Sequence, residues 1–391
     1  MTRIGLFGLL GSGNLGNDGS LRAMLDHLRA AHPDARIDAL CGGPDWLRTT
    51  YGVEATPLYR DTEFRTASGL RSAAAKVVAK LGEVVRTAAW VRRHDLVIVP
   101  GMGVLEATLP LRPWGFPYSL FVLCATGRVF GTPVALVSVG AGPIRDRGIR
   151  WLVTRAARLA AFRSYRDGRS RDALAAMGVD VSADRVYPDL AFALPSPDTH
   201  ADTGCVGVGV MAYRGGPDDR ARAEVIHRGY VTKVTALVRR LVEDGRRVRL
   251  FTGDRIDATV VEEIVAALPG APVTAAAVST LDELLAELAR VDVVVASRFH
   301  NVLCALKLGK PTLSLGYATK NDVLMETMGL GGYCHSIRGF DVDRVLDQLA
   351  ELERRTPELT GTLLVRAKEQ RRLLDEQFAH LATLLPGEVR A

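Results

Sequence analysis

The sequence predicts an α/β protein built from two doubly wound parallel sheets. Three observations carry this. Short runs rich in Val, Ile and Leu recur along the chain, bounded by Gly, Pro or polar residues. Stretches with apolar residues three and four apart separate them, so strands alternate with helices as a parallel sheet requires. A polar, proline-containing segment, Pro195–Gly204, divides the runs into two sets. At 391 residues the chain is long enough for two domains. They are expected over residues 1–195 and 205–391.

In the first set the expected strands are Ile4–Phe7, Ala35–Leu40, Leu96–Val99, Val134–Val139 and Arg163–Tyr165. A glycine-rich loop follows the first strand, and an amphipathic helix is expected from Ser20, with Leu21, Met24, Leu25 and Leu28 on one face. Ser119–Ile144 comes nearest to a membrane span, but Gly127, Arg128, Gly131 and Pro133 split it into a helix and a strand. No run reaches the ~20 apolar residues of a span. The second set is Val206–Val210, Val248–Thr252, Val273–Ala276, Val291–Ala296 and Thr312–Leu315. Helices near Tyr230–Asp244, Asp257–Ala267, Leu281–Arg290 and Asn301–Leu308 alternate with these strands, and Val342–Leu385 is helical and highly charged.

Function concentrates at two places. Val291–Tyr317 reads as strand, turn, helix, strand, and Arg298 and His300 fall directly beyond the first strand. Ligands of open α/β sheets sit beyond the carboxyl ends of the strands. A fixed cation beside a titratable imidazole there suits an anionic substrate that must exchange a proton. The alternative is a pair of ordinary surface residues. The second place is the loop Gly8–Gly19. Its glycines permit positive φ and close ligand approach, and the helix start behind it offers free N–H groups. Gly11-Ser12-Gly13-Asn14-Leu15-Gly16 fits the dinucleotide fingerprint, yet no clear acidic residue follows at about 20 residues. The loop is therefore not read as a dinucleotide site.

With both ends read, the chain resembles the polysaccharide pyruvyl transferase family. Gly11 to Asp18 is similar to that family's glycine- and asparagine-rich loop. Pro100–Leu105 and Val137–Pro143 resemble its next strand-end loops. Tyr165-Arg166-Asp167, with Ser170 and Leu174, is similar to its Val-Arg-Asp segment, and Tyr187–Phe192 to a following link. Arg298-Phe299-His300 matches its Arg-x-His motif, and Lys320-Asn321-Asp322 stands where members carry a Lys-x-Asp turn. Asn17 stands where many members have Asp, and Met102 interrupts what is often a run of glycines. The resemblance implies two Rossmann-like domains in a glycosyltransferase-B-like arrangement with an interdomain cleft, the architecture that the two strand sets also suggest. The N-terminal domain would hold the acceptor and the C-terminal domain the donor.

The resemblance further implies transfer of the enolpyruvyl carbons of phosphoenolpyruvate to two sugar hydroxyls, giving a cyclic pyruvate ketal in cell-envelope or exopolysaccharide biosynthesis. The donor carries a phosphate and a carboxylate, so several cations must hold it. Arg166 and Arg298 are expected to bind them, because guanidinium forks match both groups. His300 is expected to act as general acid, Lys320 as a further anion contact, and Gly13, Asn14, Asn17 and Asp18 to hold the acceptor, with Asp18 able to take a hydroxyl proton. No metal site and no cofactor is expected, phosphoenolpyruvate being a co-substrate. Each assignment has a bland counterpart: Arg166-Asp167 as a surface ion pair, Lys320 as a solvated turn lysine, Asp18 as a helix N-terminal charge. Asp254 also follows a strand end.

Composition narrows the partners. A net charge of +6 and a pI near 9.2 permit an anionic ligand. Nucleic acid fits poorly, since no basic run carries interleaved aromatics and no nucleic-acid-binding signature appears. Residues 64–93 form a basic helical stretch with Arg65, Arg71, Lys76, Lys80, Arg86, Arg92 and Arg93, and Glu83 as its one acid. Such a helix can lie on an anionic membrane, or it is the solvated face of a core helix. The five scattered cysteines read as reduced core thiols of a cytoplasmic protein. Cys304, one turn from His300, reads as a buried helix cysteine first and a Cys/His pair second. Three other functions fit the same elements. A nucleotide-sugar glycosyltransferase would use Arg298 for diphosphate and Asp322 or Glu326 for ribose. A family relative would act on a small secondary metabolite. A scaffold would need none of Arg166, Arg298, His300 or Lys320. The acceptor sugar, possible lipid linkage and oligomeric state are not encoded in any motif.

Overall fold

The computed structural model describes residues 1–59, 70–106, 112–199 and 203–385. The chain forms two compact units. The first comprises Met1–Ser12, Ser20–Asp189 and Asp375–Ala391, and the second Gly13–Gly19 and Leu190–Leu374.

The first unit follows the order β1 (Arg3–Gly8), α1 (Leu15–Ala31), β2 (Arg36–Cys41), α2 (Pro44–Tyr51), β3 (Glu54–Pro57), α3 (Leu70–Val91) and β4 (Leu96–Pro100). It continues with α4 (Phe116–Phe130), β5 (Val134–Val139), α5 (Arg147–Leu159), β6 (Phe162–Tyr165), α6 (Gly168–Ala176) and β7 (Arg185–Val186). Its described strands form one parallel sheet in the order β3-β2-β1-β4-β5-β6-β7. Every residue of β4 and β5 is buried, as expected for strands covered on both faces. Leu21, Met24, Leu25 and Leu28 of α1 are buried as their spacing predicts. Each such side chain contributes roughly 1.5–3 kcal/mol.

The second unit runs β8 (Cys205–Gly209), α7 (Ala223–Glu243), β9 (Arg247–Phe251), α8 (Ala258–Ala267), β10 (Val273–Ala275), α9 (Leu281–Leu288) and β11 (Val293–Ala296). Then come α10 (Phe299–Lys307), β12 (Thr312–Gly316), α11 (Thr319–Thr327), β13 (Cys334–Ser336), α12 (Val342–Arg354) and α13 (Thr356–Ala382), whose residues from Asp375 count with the first unit. Its described strands are parallel in the order β10-β9-β8-β11-β12-β13. The winding reverses between β8 and β11, which makes the ends of those two strands the switch point of the sheet.

All ten expected strands form. Three short edge strands, β3, β7 and β13, had no such reading. Glu54-Ala55-Thr56-Pro57 and Arg185-Val186 are brief and mostly exposed, and Cys334-His335-Ser336 lacks a β-branched run. Backbone pairing to an existing edge, not side-chain pattern, defines them. Helix α1 starts at Leu15, five residues before the expected Ser20. The start of the basic stretch, residues 64–69 with Arg65, lies outside the described residues, as do residues 200–202 of the expected linker and the side chains of Arg71 and Lys76. All five cysteines are free, and Cys41, Cys124 and Cys304 are buried. Among the described residues no helix is long and apolar enough to cross a membrane.

Lys307, at the end of α10, is buried and donates to the Phe192 carbonyl at 3.0 Å. Burial, with Arg371 nearby, pushes its ammonium down to about 8, which outweighs an opposing contribution from Cys304. A lysine whose folded pKa is depressed costs stability while charged, and the cost fades as pH rises from the folded value toward the unfolded one. The Lys307→Met variant is therefore expected to melt above wild type at pH 7, and the gap should close toward pH 10. Thermal melts at the two pH values check this, and a gap that widens with pH would refute it.

Candidate active site

The site begins where β11 ends. Ser297 is fully buried and its hydroxyl bonds the Tyr230 hydroxyl at 2.8 Å, which in turn accepts from the Met211 N–H at 3.1 Å. Burial pushes the Tyr230 hydroxyl up to about 12, so it stays protonated at neutral pH. Arg298 occupies the N-cap position of α10 in extended conformation. Its Nε donates to Asp257 Oδ2 at 2.8 Å and its Nη2 to Oδ1 at 2.6 Å, a bidentate pair.

Asp257 is wholly buried. It follows β9 in a short 3-10 turn, Arg255–Asp257. Its carboxylate also accepts from the Ala212 N–H at 2.8 Å and the Gly253 N–H at 3.2 Å. Desolvation alone would lower the Arg298 guanidinium; the hydrogen bonds and charge of Asp257 outweigh it and hold the proton more firmly than usual. Asp257 thus fixes the Nε–Nη2 edge of Arg298. Asp257 was not singled out in the sequence. Its signal was weak: the second acid after a strand, behind Asp254, with nothing in the local pattern to pair it with Arg298, 41 residues away.

His300 is the second residue of the same helix, its ring edge-on to Phe299 at 5.1 Å between centroids. The glycine loop Gly13–Gly19, which counts with the second unit, packs against it. A Cβ added at Gly16 would lie 2.0 Å from His300 Cε1 and Nδ1, and one at Gly19 would lie 1.9 Å from Leu281 Cδ1. These two contacts explain why a helix tolerates two glycines in its first five residues, and why α1 starts earlier than residue propensity suggests. Gly16→Ala is expected to push the imidazole aside and lower turnover about 10²-fold, the effect of an ~1 Å misplacement. Gly19→Ala, which meets Leu281 instead, serves as the control: it should lower the melting temperature while sparing kcat in the folded fraction. Equal kcat in wild type and Gly16→Ala would sink this reading.

Asn14 ties the loop down. It forms an antiparallel bridge with Asp254, and its Nδ2 donates to Asp254 Oδ2 at 3.1 Å. Its Oδ1 accepts from the Asn17 N–H at 3.3 Å, an N-cap for α1. The Leu15 N–H donates to the Gly253 carbonyl at 3.3 Å. Asn14 therefore spends both ends of its amide on structure. Asp18 is buried, Asn17 and Gly13 are partly exposed, and the Arg255 guanidinium stands 3.5 Å from where a Gly13 Cβ would be. Arg255 is a second strand-end cation that the sequence reading passed over.

Lys320, from the first turn of α11, holds its Nζ 5.0 Å from the Tyr317 ring centre and 5.6 Å from that of Phe299. That is a cation–π cradle rather than a freely solvated turn lysine. Asn301, the third residue of α10, is fully buried, and neither end of its amide has a hydrogen-bond partner among the described residues. A Cβ at Gly209 would lie 2.6 Å from Asn301 Nδ2, and one at Gly253 would lie 2.9 Å from Oδ1. Cys304 is wholly buried. Asp322 accepts from the Cys334 thiol at 2.9 Å.

Arg166 belongs to the first unit. It follows β6, and its side chain is 6% exposed, so it is not part of a surface pair. It lies 3.6 Å from both Glu106 Oε2 and Asp167 Oδ2. Its guanidinium packs on the Gly140 backbone, where a Cβ would meet Nη2 at 2.5 Å. Asp167 caps α6 by accepting from the Ser170 N–H at 2.7 Å. Among the described residues no group of three or more His, Cys, Asp or Glu is placed to hold a metal ion.

Two parallel α/β sheets, the second with Arg298 and His300 beyond its switch-point strand, give a glycosyltransferase-B-like fold. Solved structures share that fold at low identity. HepE from Anabaena in complex with UDP-glucose aligns with a TM-score of 0.62 and 11% identity over 98% of this chain and 100% of its own. UDP-GlcNAc 2-epimerase from Neisseria meningitidis, bound to UDP-GlcNAc, gives 0.59 and 10% over 98% and 100%. MurG from Acinetobacter baumannii gives 0.57 and 10% over 98% and 99%. No curated protein matches the chain. The chain belongs to the polysaccharide pyruvyl transferase family, whose model matches residues 14–319.

Proposed function

We propose that the protein transfers the enolpyruvyl group of phosphoenolpyruvate to two hydroxyls of a saccharide, forming a pyruvate ketal in envelope or exopolysaccharide synthesis. The observation that carries this reading is the joint placement of Arg298, His300 and Lys320 at the strand ends of one sheet, with the Gly13–Gly19 loop against the imidazole. Arg298, Arg255 and Lys320 supply positive charge for a phosphate and a carboxylate. His300 gives a proton to the methylene carbon, which becomes the methyl group and leaves C2 electrophilic. One hydroxyl attacks C2 and phosphate departs with the C2–O bond pair. The second hydroxyl closes the ring. One of the two hydroxyl protons restores His300 and the other leaves on phosphate, so the reaction balances without redox change. Asn17 and Asp18 serve as acceptor contacts. Phosphoenolpyruvate enters as co-substrate and the chemistry calls for no other cofactor. Contact with a membrane surface through α3 belongs to the same proposal.

Ligand-induced thermal stabilisation tests it. At ~100 times its dissociation constant, phosphoenolpyruvate should add about 2.7 kcal/mol. The increment should vanish in Arg298→Ala, whose own baseline falls because Asp257 loses its partner. Stabilisation by UDP- or GDP-sugars with none by phosphoenolpyruvate would overturn the reading in favour of a glycosyltransferase. A nucleotide sugar that binds alongside phosphoenolpyruvate would identify the acceptor class.

A further inference from the structure

We propose that the first unit docks on an anionic lipid bilayer through the layer formed by α3, α4 and α5. The inference gives a surface to the membrane contact put forward above and rests on that part of the reading alone.

Right-handed crossovers from β3 to β4, β4 to β5 and β5 to β6 put these three helices on one face of the sheet. Helix α4 packs against both of the others. Across the three helices the one acid is Glu83. It is buried, ion-paired with Lys80 at 2.5 Å, and accepts from the Ser119 hydroxyl. The outward face of this layer therefore carries no negative side chain from any of its helices.

Helix α5 buries Ile149, Leu152, Val153, Ala156 and Ala157 and exposes Arg147, Arg150, Trp151, Arg155 and Arg158. Trp151 is 52% exposed, backed by Phe121 at 5.4 Å, with the Arg155 guanidinium 5.8 Å over its ring. Helix α3 is inverted: Glu83 and Thr87 face inward, while Val78, Leu81 and Val85 are each at least 60% exposed. These three lie at i, i+3 and i+7, a single apolar stripe. Arg128, Val129 and Phe130 end α4 in the same exposed manner.

An apolar stripe, a half-exposed tryptophan and an acid-free arginine row match the boundary between acyl chains and anionic headgroups. A second copy of the chain would set like-charged arginines face to face. Nucleic acid would leave the Val78–Leu81–Val85 stripe unused.

The test is sedimentation of the full chain with vesicles of equal parts phosphatidylglycerol and phosphatidylcholine. Binding should be present at low salt, fall as salt rises, and be absent with phosphatidylcholine alone. Each arginine at the surface contributes about fivefold, so Arg150→Ser with Arg155→Ser should weaken binding at least tenfold. Leu81→Ser should weaken it severalfold while keeping the melting temperature. The proposal falls if anionic vesicles are not bound or if the double variant binds like wild type. It also falls if the face instead mediates self-association or takes only nucleic acid. Phosphoenolpyruvate stabilisation measured in the same preparation separates its failure from that of the catalytic reading.

Discussion

His300→Ala is expected to lower turnover by about 10²–10⁴-fold, the usual contribution of a positioned general acid, while phosphoenolpyruvate still stabilises the protein. The two readouts separate because the proposed reaction assigns binding of the anions to Arg298, Arg255 and Lys320 and protonation of the methylene carbon to the imidazole. The ring is held by contact on two sides: Phe299 at 5.1 Å and the bare backbone of Gly16. Its removal leaves the bidentate Arg298–Asp257 pair intact. Single-turnover rates beside the phosphoenolpyruvate-induced melting shift make the measurement. A variant that loses the shift and retains the rate would reverse the roles of His300 and Arg298.

Asp257→Ala is expected to be the most destabilising single change at the site, at about 3–5 kcal/mol. The loss strands a buried guanidinium and two main-chain N–H donors, those of Ala212 and Gly253, at one stroke. Asp257→Asn separates charge from shape. Its amide oxygen can still accept, but its nitrogen cannot, so the fold should survive while Arg298 loses its fixed edge and phosphoenolpyruvate binding weakens. Denaturant melts report the first effect and ligand titration the second. An Asp257→Ala protein as stable as wild type would mean that the pair does not organise the strand ends.

Much of this was legible in the chain. Apolar and β-branched runs located most central strands, and Arg298-Phe299-His300 stood out because only Ser297 separates it from one of them. Three of the four edge strands were not legible: Glu54–Pro57 and Cys334–Ser336, for example, gain their structure from a neighbour's free backbone groups. The start of α1 was misplaced because Gly16 and Gly19 look like helix breakers until His300 and Leu281, far along the chain, are seen to need the space. Asp257, Arg255 and Asn301 went unnoticed for the same reason: their neighbours are set by the sheet and not by local spacing. For α3, a helical pattern with apolar and basic residues was correctly read, but which side faces the core was not, because a buried Glu83 is stabilised only by Lys80 and Ser119.

Met102, the residue that breaks a glycine run, adopts φ +65°, a left-handed backbone that glycine accepts and methionine resists. Its side chain offsets that strain by filling the space beside Gly8, where an added Cβ would lie 2.3 Å from Met102 Cε. The two positions are therefore bound as a pair across the switch point of the first sheet. A side chain at residue 8 would have to displace the thioether end of Met102 and also hold φ +158°, so shrinking residue 102 would relieve only the first of these two costs.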